Sequence, residues 1–554
     1  MTVPTYGKLA LQGNRWVLSD IPPHVAIRLK SMFARIPKTT TGKFDLPFTD
    51  EMCADLQWFE SRYRLTMSDK DRAALERGTK LFEADRIASE AILLPDWQPS
   101  TTHGFRPGFA PYHHQKQASA LLHKKKGLLL GDVMGQGKTW SALDAIIGSP
   151  YLPAAVVAKT HLPTQWVEEF IKPFTYLSAH IIKSTTPYRL PPANVYLFKY
   201  SNIAGWVDYF GTGFFKAAIF DEAHELRNGI HTSKGKAAAV LADNAAIRLS
   251  MTGTPIFNYG SEIFNIMRFV NPDILGTWEE FVIEWCRMGT GGKWLVKDPE
   301  ALGTYLRSAQ VFLRRLRQGR PINKIVVDVD YDEDIAAKSE DLARTLAIKA
   351  TTGSFVERGQ AVRELDAMAR QVTGLAKAKS VAAYVRMLMK AGRPVLLFGW
   401  HRSVYEVWLK ELAEFKPVMF TGSESTKQKE RSKQAFINGD TDLMIMSLRS
   451  GDGTDGLQKR CSTVVIGEMD WSPAVLSQGI GRVDRPGQPQ DVIDVIYLIA
   501  NSGSDPVLVQ VNAIKSDQAR GVIDPGLGVQ PALVDESRLK ALAEHYLQKL
   551  GTGA

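Results

Sequence analysis

Two short runs carry residue types suited to phosphate chemistry. Gly131-Asp132-Val133-Met134-Gly135-Gln136-Gly137-Lys138-Thr139 follows the apolar run Gly127 to Leu130 and precedes a helix-like segment, the layout of a phosphate-cradling loop. Glycines at 135 and 137, flanking Gln136, let backbone N–H groups approach phosphate oxygens, and the next helix directs its positive end at the same anion. Lys138 would reach the β- and γ-phosphates, and Thr139 would ligate Mg²⁺. Further on, Ala217-Ala218-Ile219-Phe220-Asp221-Glu222-Ala223-His224 reads as an apolar strand ending in two acids. Asp221 would hold the Mg²⁺ through its water shell, and Glu222 would orient or deprotonate the attacking water. Together the runs predict hydrolysis of a nucleoside triphosphate. One position departs from the general phosphate-loop pattern: Asp132 stands where a first glycine is usual.

These side chains need a parallel sheet to bring them to one edge. From about residue 105 to 500, short β-rich runs alternate with helix-like stretches, as a parallel sheet covered on both faces requires. The expected strands are Gly127–Leu130, Ala154–Ala158, Ala217–Phe220 and Ile247–Met251, then Pro394–Phe398, Val418–Thr421, Leu443–Ser447, Val464–Glu468 and Ile493–Ile499. Between the groups, Ser261–Val270, Trp278–Cys286, Pro299–Arg317 and Ser339–Arg370 read as helical, with a strand-like Lys324–Asp330. The expected fold class is α/β. It comprises an N-terminal accessory unit (1–104), a first lobe (105–325), a helical bridge (326–375), a second lobe (376–525) and a tail (526–554) ending in an amphipathic helix, Glu536–Leu550.

Composition sets outer limits. The 554 residues are 44% hydrophobic and 23% charged, ordinary for a soluble multidomain chain. No window approaches an unbroken apolar membrane span, and the start lacks a signal-peptide pattern, so an intracellular, cytoplasmic protein without membrane contact is expected. Cys53, Cys286 and Cys461 are widely spaced and are expected as reduced core thiols. A formal charge of +9 suits a polyanion. Arg307, Arg314, Arg315, Arg317, Arg320 and Lys324 form one basic cluster, and Lys427, Lys429, Arg431 and Lys433 another. Each reads either as a solvated face or as contacts to a nucleic-acid backbone.

Two further motifs sit where a two-lobed machine needs them. Ser250-Met251-Thr252-Gly253-Thr254-Pro255 directly follows a strand, so Thr252 and Thr254 would lie at the same sheet edge as Asp221 and couple phosphate state to a bound strand. In Gln478-Gly479-Ile480-Gly481-Arg482-Val483-Asp484-Arg485, the arginines are three apart and would share a helix face. Arginines from a far lobe neutralise transition-state charge only when the cleft shuts.

The ordered set resembles the helicase-like ATPases of superfamily two, specifically the SWI/SNF-type translocases, over about Phe105 to Lys515. Asp132 to Thr139 looks like that family's Asp-Glu-Met-Gly-Leu-Gly-Lys-Thr, which accounts for Asp132. Asp221 to Asn228, Thr252 to Asn258, and Asp470-Trp471-Ser472-Pro473 followed by Gln478, Arg482, Arg485, Gly487 and Gln488 are similarly close. The resemblance implies two RecA-like lobes, ATP and Mg²⁺ as cofactors, and an ATP hydrolase that translocates on double-stranded DNA to remodel, displace proteins or anneal strands. The alternative it carries is a strand-separating helicase of a replication, recombination or restriction system.

Carried over by position, Gln115 would read the adenine and Gln478 would join the nucleotide site. Thr160, Gln165, Trp166, Thr252, Thr254 and Trp471 would contact DNA, as would Gly451 to Gln458. The turn from Ser447 to Gly456 is about two residues longer than the family's, and Pro486 replaces an aliphatic residue. Within the family, Val372 to Lys377, Trp278 to Cys286 and Phe398 to His401 are similar to the annealing-helicase branch. Arg15 to Leu18, Met32 to Pro37 and Trp58 to Tyr63 are similar to its HARP-type substrate-recognition module. The implied partners are double-stranded or forked DNA and a replication or recombination protein. The implied form is a compact bacterial or bacteriophage version, monomeric in isolation and, if phage-encoded, working in the bacterial host cytoplasm.

Overall fold

The computed structural model describes residues 5–99, 104–133, 135–160, 162–256, 260–289, 294–316, 321–337, 355–448, 456–470, 473–485 and 487–509. Trp471, most of the Gly451–Gln458 turn and the expected tail helix lie outside the described residues. Two all-parallel sheets dominate. The first has seven strands in the order Phe312–Leu313, Gly127–Leu130, Ile247–Met251, Ala217–Asp221, Ala154–Ala158, Val195–Lys199 and Ala179–Ile181. The second has six: Ile322–Asp328, Ile493–Ile499, Thr463–Ile466, Val395–Gly399, Leu443–Ser447 and Val418–Phe420.

The central strands are apolar on both faces because helices cover both. Gly127–Leu130 and Ala154–Ala158 are buried at every position. On one face of the first sheet Leu128, Leu130, Leu143, Val156 and Ile219 pack together; on the other Phe198, Trp206, Phe220 and Phe269 do so. The second sheet is sandwiched likewise, with Phe398, Met444 and Val464 on one side and Leu397, Trp408 and Ile445 on the other. Register then decides function: Leu130 pairs Met251, and Met251 pairs Asp221. The segments that leave these three neighbouring strands therefore emerge side by side at the carboxyl edge, where parallel sheets place ligand sites.

Several expectations change. Pro299–Arg317 is not one helix: a helix covers Pro299–Ser308, and Phe312–Leu313 joins the first sheet as an edge strand. The strand-like stretch assigned to lobe one and the bridge is Ile322–Asp328, and it hydrogen-bonds to Ile493–Ile499 in the second sheet. The chain thus crosses between lobes within residues 314–321. The long helix Phe355–Lys390 runs past the expected end of the bridge at 375, and its Ala369, inside the expected bridge, already packs into the second lobe's core with Phe398 and Met444.

The N-terminal unit has a three-stranded antiparallel sheet, Lys8–Gln12, Arg15–Ser19 and Phe44–Pro47, backed by helices Asp50–Arg62 and Asp69–Leu93 around Trp16, Leu56 and Phe59. It is fastened to the first lobe. Arg35 pairs with Glu284 at 3.1 Å, Lys125 with Asp85 at 2.6 Å, and Gln117 Nε2 donates to Ile92 and Leu94 carbonyls at 3.0 Å each. All three cysteines are buried and unbridged. Among the described residues no helix is long and apolar enough to cross a membrane.

Candidate nucleotide site at the lobe boundary

The phosphate loop turns on left-handed glycines: Gly135 has φ 83° and Gly137 φ 73°. A Cβ on Gly137 would also come 2.4 Å from Gln115 Nε2, so only glycine fits there. Helix Lys138–Ile146 starts at once, presenting its free N–H groups to the loop. Gln115 is buried. Its Nε2 donates to the Gln136 carbonyl at 3.0 Å, and its Oε1 accepts from Tyr112 N–H at 2.9 Å, so its amide braces the loop from behind. His114 Nε2 lies 3.1 Å from the same Gln136 carbonyl and stacks on exposed Tyr112, a pair that the sequence reading missed.

Lys138 Nζ donates to the Asp132 carbonyl at 2.8 Å. Burial draws its ammonium below the ordinary lysine value, while Glu222, Asp132 and Asp221 oppose that drift. Asp132, the residue out of pattern, is 1% exposed. Its Oδ1 accepts the Arg315 backbone N–H at 2.8 Å and its Oδ2 the Arg315 guanidinium at 3.2 Å. Arg314 Nη1 donates to the carbonyls of Gly131 and Gly253, at 2.5 and 3.0 Å. The first basic cluster thus turns two arginines inward, away from a nucleic-acid backbone. Lys324 is exposed on an edge strand, and Arg317 and Arg320 lie outside the described residues. In the second cluster Lys427 and Arg431 are exposed on helix Thr426–Asn438.

Asp221 is held on three sides. Its Oδ1 accepts Glu222 N–H at 3.0 Å, its Oδ2 accepts the Trp166 indole N–H at 2.8 Å, and Tyr200 Oη donates to its carbonyl at 2.9 Å. Burial, then the neighbouring Glu222 charge, pushes its pKa up to about 6 against the Trp166 hydrogen bond and Lys138. Glu222 moves the other way: burial raises it, but His224, Lys138 and Lys159 together outweigh burial and keep it ionised. Glu222 adopts φ 53°, a left-handed conformation costly for a side chain with a Cβ and common where a site demands an orientation.

Trp166 is buried beneath Asp221, with its indole N–H turned to that carboxylate. It starts a π-helical turn, Trp166–Ile171, within the segment Leu162–Phe174, and such turns recur at functional sites. Thr160 is exposed, and Gln165 Nε2 reaches Glu169 at 2.8 Å on the outer side.

Thr252 is likewise fully buried. His224 Nδ1 lies 3.1 Å from both Thr252 Oγ1 and Glu222 Oε2. Thr252 Oγ1 also accepts the Thr254 N–H at 3.2 Å, and Gln478 Nε2 of the second lobe donates to Thr254 Oγ1 at 3.3 Å. A run of hydrogen-bonding groups therefore leads from Glu222 across the lobe boundary. Gln478 stands in it, with its amide on the first lobe's threonine turn. Arg482 and Arg485 do not share a helix face: helix Pro473–Ile480 ends before them, and both lie in the turn that follows. Arg482 is buried, and Arg485 Nε donates to the Gly481 carbonyl at 3.2 Å.

With this geometry in view, residues 54–316 match the SNF2-related domain and residues 376–487 the helicase conserved C-terminal domain. The chain thus carries an SNF2-related domain followed by a helicase conserved C-terminal domain. The first match begins inside the N-terminal unit, at a helix that the division at residue 104 had set apart. The chain is 27% identical over 398 residues to the SWI/SNF-related matrix-associated actin-dependent regulator of chromatin subfamily A-like protein 1 of Xenopus laevis, covering 69% of this chain and 40% of that protein. It is 24% identical over 456 residues to the DNA annealing helicase and endonuclease ZRANB3 of Mus musculus, covering 76% and 41%. Against the uncharacterized ATP-dependent helicase YqhH of Bacillus subtilis it is 24% identical over 500 residues, covering 80% and 84%. The chain thus spans about two fifths of the first two relatives. The solved Sulfolobus solfataricus SWI2/SNF2 ATPase core with dsDNA aligns over 77% of this chain and 96% of its own, at 19% identity and a TM-score of 0.36.

Proposed function

We propose that this protein is a DNA-dependent ATPase that moves along double-stranded DNA by opening and closing its two lobes around ATP. The observation that carries the reading is the path Glu222–His224–Thr252–Thr254–Gln478, in which the group suited to activating water is joined to the second lobe. In this reading Lys138 and the N–H groups around Gly135 and Gly137 bind the phosphates, and Gln115 holds the loop in shape beside the adenine. Glu222, ionised and held by His224, orients the water and accepts its proton. Arg482 and Arg485 meet the transition-state charge once the lobes close.

Hard oxygen donors fit a magnesium ion. Thr139 and Asp221 would hold it, the latter with a carboxylate already oriented by two N–H donors. The ion would neutralise phosphate charge. Thr160 and Gln165 on the first lobe, with Trp471 on the second, are the proposed duplex contacts. The N-terminal unit, fastened to the first lobe, offers exposed Trp58 with the Arg62 guanidinium 3.7 Å over its ring, a suitable surface for recognising the substrate DNA.

The test is steady-state ATP hydrolysis with no nucleic acid, with duplex DNA and with RNA. Turnover should rise with duplex. Turnover indifferent to duplex, or driven better by RNA, would overturn the proposal.

A further inference from the structure

The chain leaves the first lobe directly beside the phosphate loop. Phe312–Leu313 pairs in parallel with Leu129–Leu130, and the backbone ladder continues past both: Gly131 N–H donates to the Leu313 carbonyl at 2.8 Å and Val133 N–H to the Arg315 carbonyl at 3.4 Å. Residue 322 already belongs to the second sheet. Arg314 and Arg315 therefore stand at the first-lobe end of the crossing, and both are fastened to nucleotide-site segments. Arg315 holds the Asp132 carboxylate through backbone and guanidinium, and Arg314 spans from Gly131 to Gly253 on the threonine turn. The Asp132 carbonyl accepts from Lys138.

We infer that Asp132, Arg314 and Arg315 are positioning residues, a clamp through which movement of the second lobe sets the phosphate loop and Lys138. This rests on the ATPase reading above. Arg315 is close in the chain to Ile322 of the second sheet, so a rotation of the second lobe would bear on Arg315, and a buried carboxylate bonded twice to Arg315 cannot stay behind without stranding a charge. The usual glycine at position 132 has no side chain with which to make this tie. The clamp gives Asp132, which the general phosphate-loop pattern lacks, a purpose and explains why Arg314 and Arg315 face inward.

The test compares wild type with Arg315→Gln, Arg315→Lys, Asp132→Asn and the double variant Asp132→Asn/Arg315→Gln. ATP turnover is measured with and without duplex DNA, and a fluorescent ATP analogue is titrated to equilibrium. Arg315→Gln should lower duplex-stimulated kcat about tenfold while shifting analogue affinity less than about threefold. Arg315→Lys, which keeps the charge and the backbone bond, should recover part of the loss. The double variant should lose less than the two single losses combined, because neither charge is then stranded. Equal loss in kcat and affinity, or wild-type turnover in Arg315→Gln, would overturn the clamp. If wild type hydrolyses ATP without duplex stimulation, the translocase reading fails, and the clamp stands or falls on the same split in basal turnover. Should Arg315→Gln not fold, Arg315→Lys carries the same comparison, with the same split between kcat and affinity and a smaller expected loss.

Discussion

Trp166→Phe deletes the indole N–H that Asp221 Oδ2 accepts at 2.8 Å and keeps most of the ring in its buried seat. A hydrogen bond to a charged acceptor is worth about 1.5–3 kcal/mol, and one to a neutral acceptor about 1 kcal/mol. With the neighbouring Glu222 charge already beside the carboxylate, the lower end is taken: about 1.5–2 kcal/mol lost when Asp221 is ionised. Its folded pKa, about 6, lies above the ordinary 3.8. The folded chain therefore keeps this proton where the unfolded chain has lost it, and stability falls as pH rises through that interval. Removing the hydrogen bond raises the folded pKa further, by roughly half a unit at 1.36 kcal/mol per unit, so the decline continues to about pH 6.5. The stability gap between variant and wild type should accordingly be about 1 kcal/mol at pH 5 and widen to about 1.5–2 kcal/mol by pH 8. Denaturant unfolding of the ligand-free protein at the two pH values measures it. A gap of the same size at both would mean that the indole contributes packing alone.

Glu222→Gln should keep nucleotide and DNA binding while cutting turnover by about two orders of magnitude or more, since the water-orienting base is lost and Asp221 remains; single-turnover hydrolysis at the wild-type rate would remove Glu222 from that role. Arg485→Ala should depress kcat by about a hundredfold or more with little change in nucleotide affinity, and matched losses in titration and turnover would count against transition-state contact. Asp505→Ala leaves Lys377 Nζ, which Asp505 holds at 2.6 Å with both side chains buried, with only the Leu498 carbonyl as partner. It should cost the second lobe about 3–5 kcal/mol, visible as a lowered melting temperature; an unchanged melting curve would show the pair to be dispensable.

Much of the fold was legible because its signals are local. Gly127–Leu130, Ala154–Ala158, Ile247–Met251, Leu443–Ser447 and Ile493–Ile499 were bounded correctly, since a mostly buried strand is a short, largely apolar run. Other strands were not. Phe312–Leu313 is only two residues and follows a helix with apolar spacing, so periodicity extended the helix through it. Val195–Lys199 carries Tyr196 and Lys199 within a polar surround, and only pairing with Ala154–Ala158 marks it as central.

The site divides the same way. Gly135, Gly137, Lys138, Asp221 and Glu222 announce themselves because phosphate and water chemistry demand those types next to a strand end, and chain order preserves that adjacency. The burial of Trp166 and Thr252 was not legible, because a motif's position says which segment lies near a ligand, whereas packing decides which side chain is exposed. The indole on Asp221, the tie from Arg315 to Asp132 and the reach of Gln478 to Thr254 join residues 55, 183 and 224 positions apart. By itself the sequence determined the chemistry and the parallel-sheet class, which depend on residue type and near neighbours. Only the tertiary structure decided which polar groups are buried and therefore must partner one another, because that pairing is set by strand order and register across the whole chain.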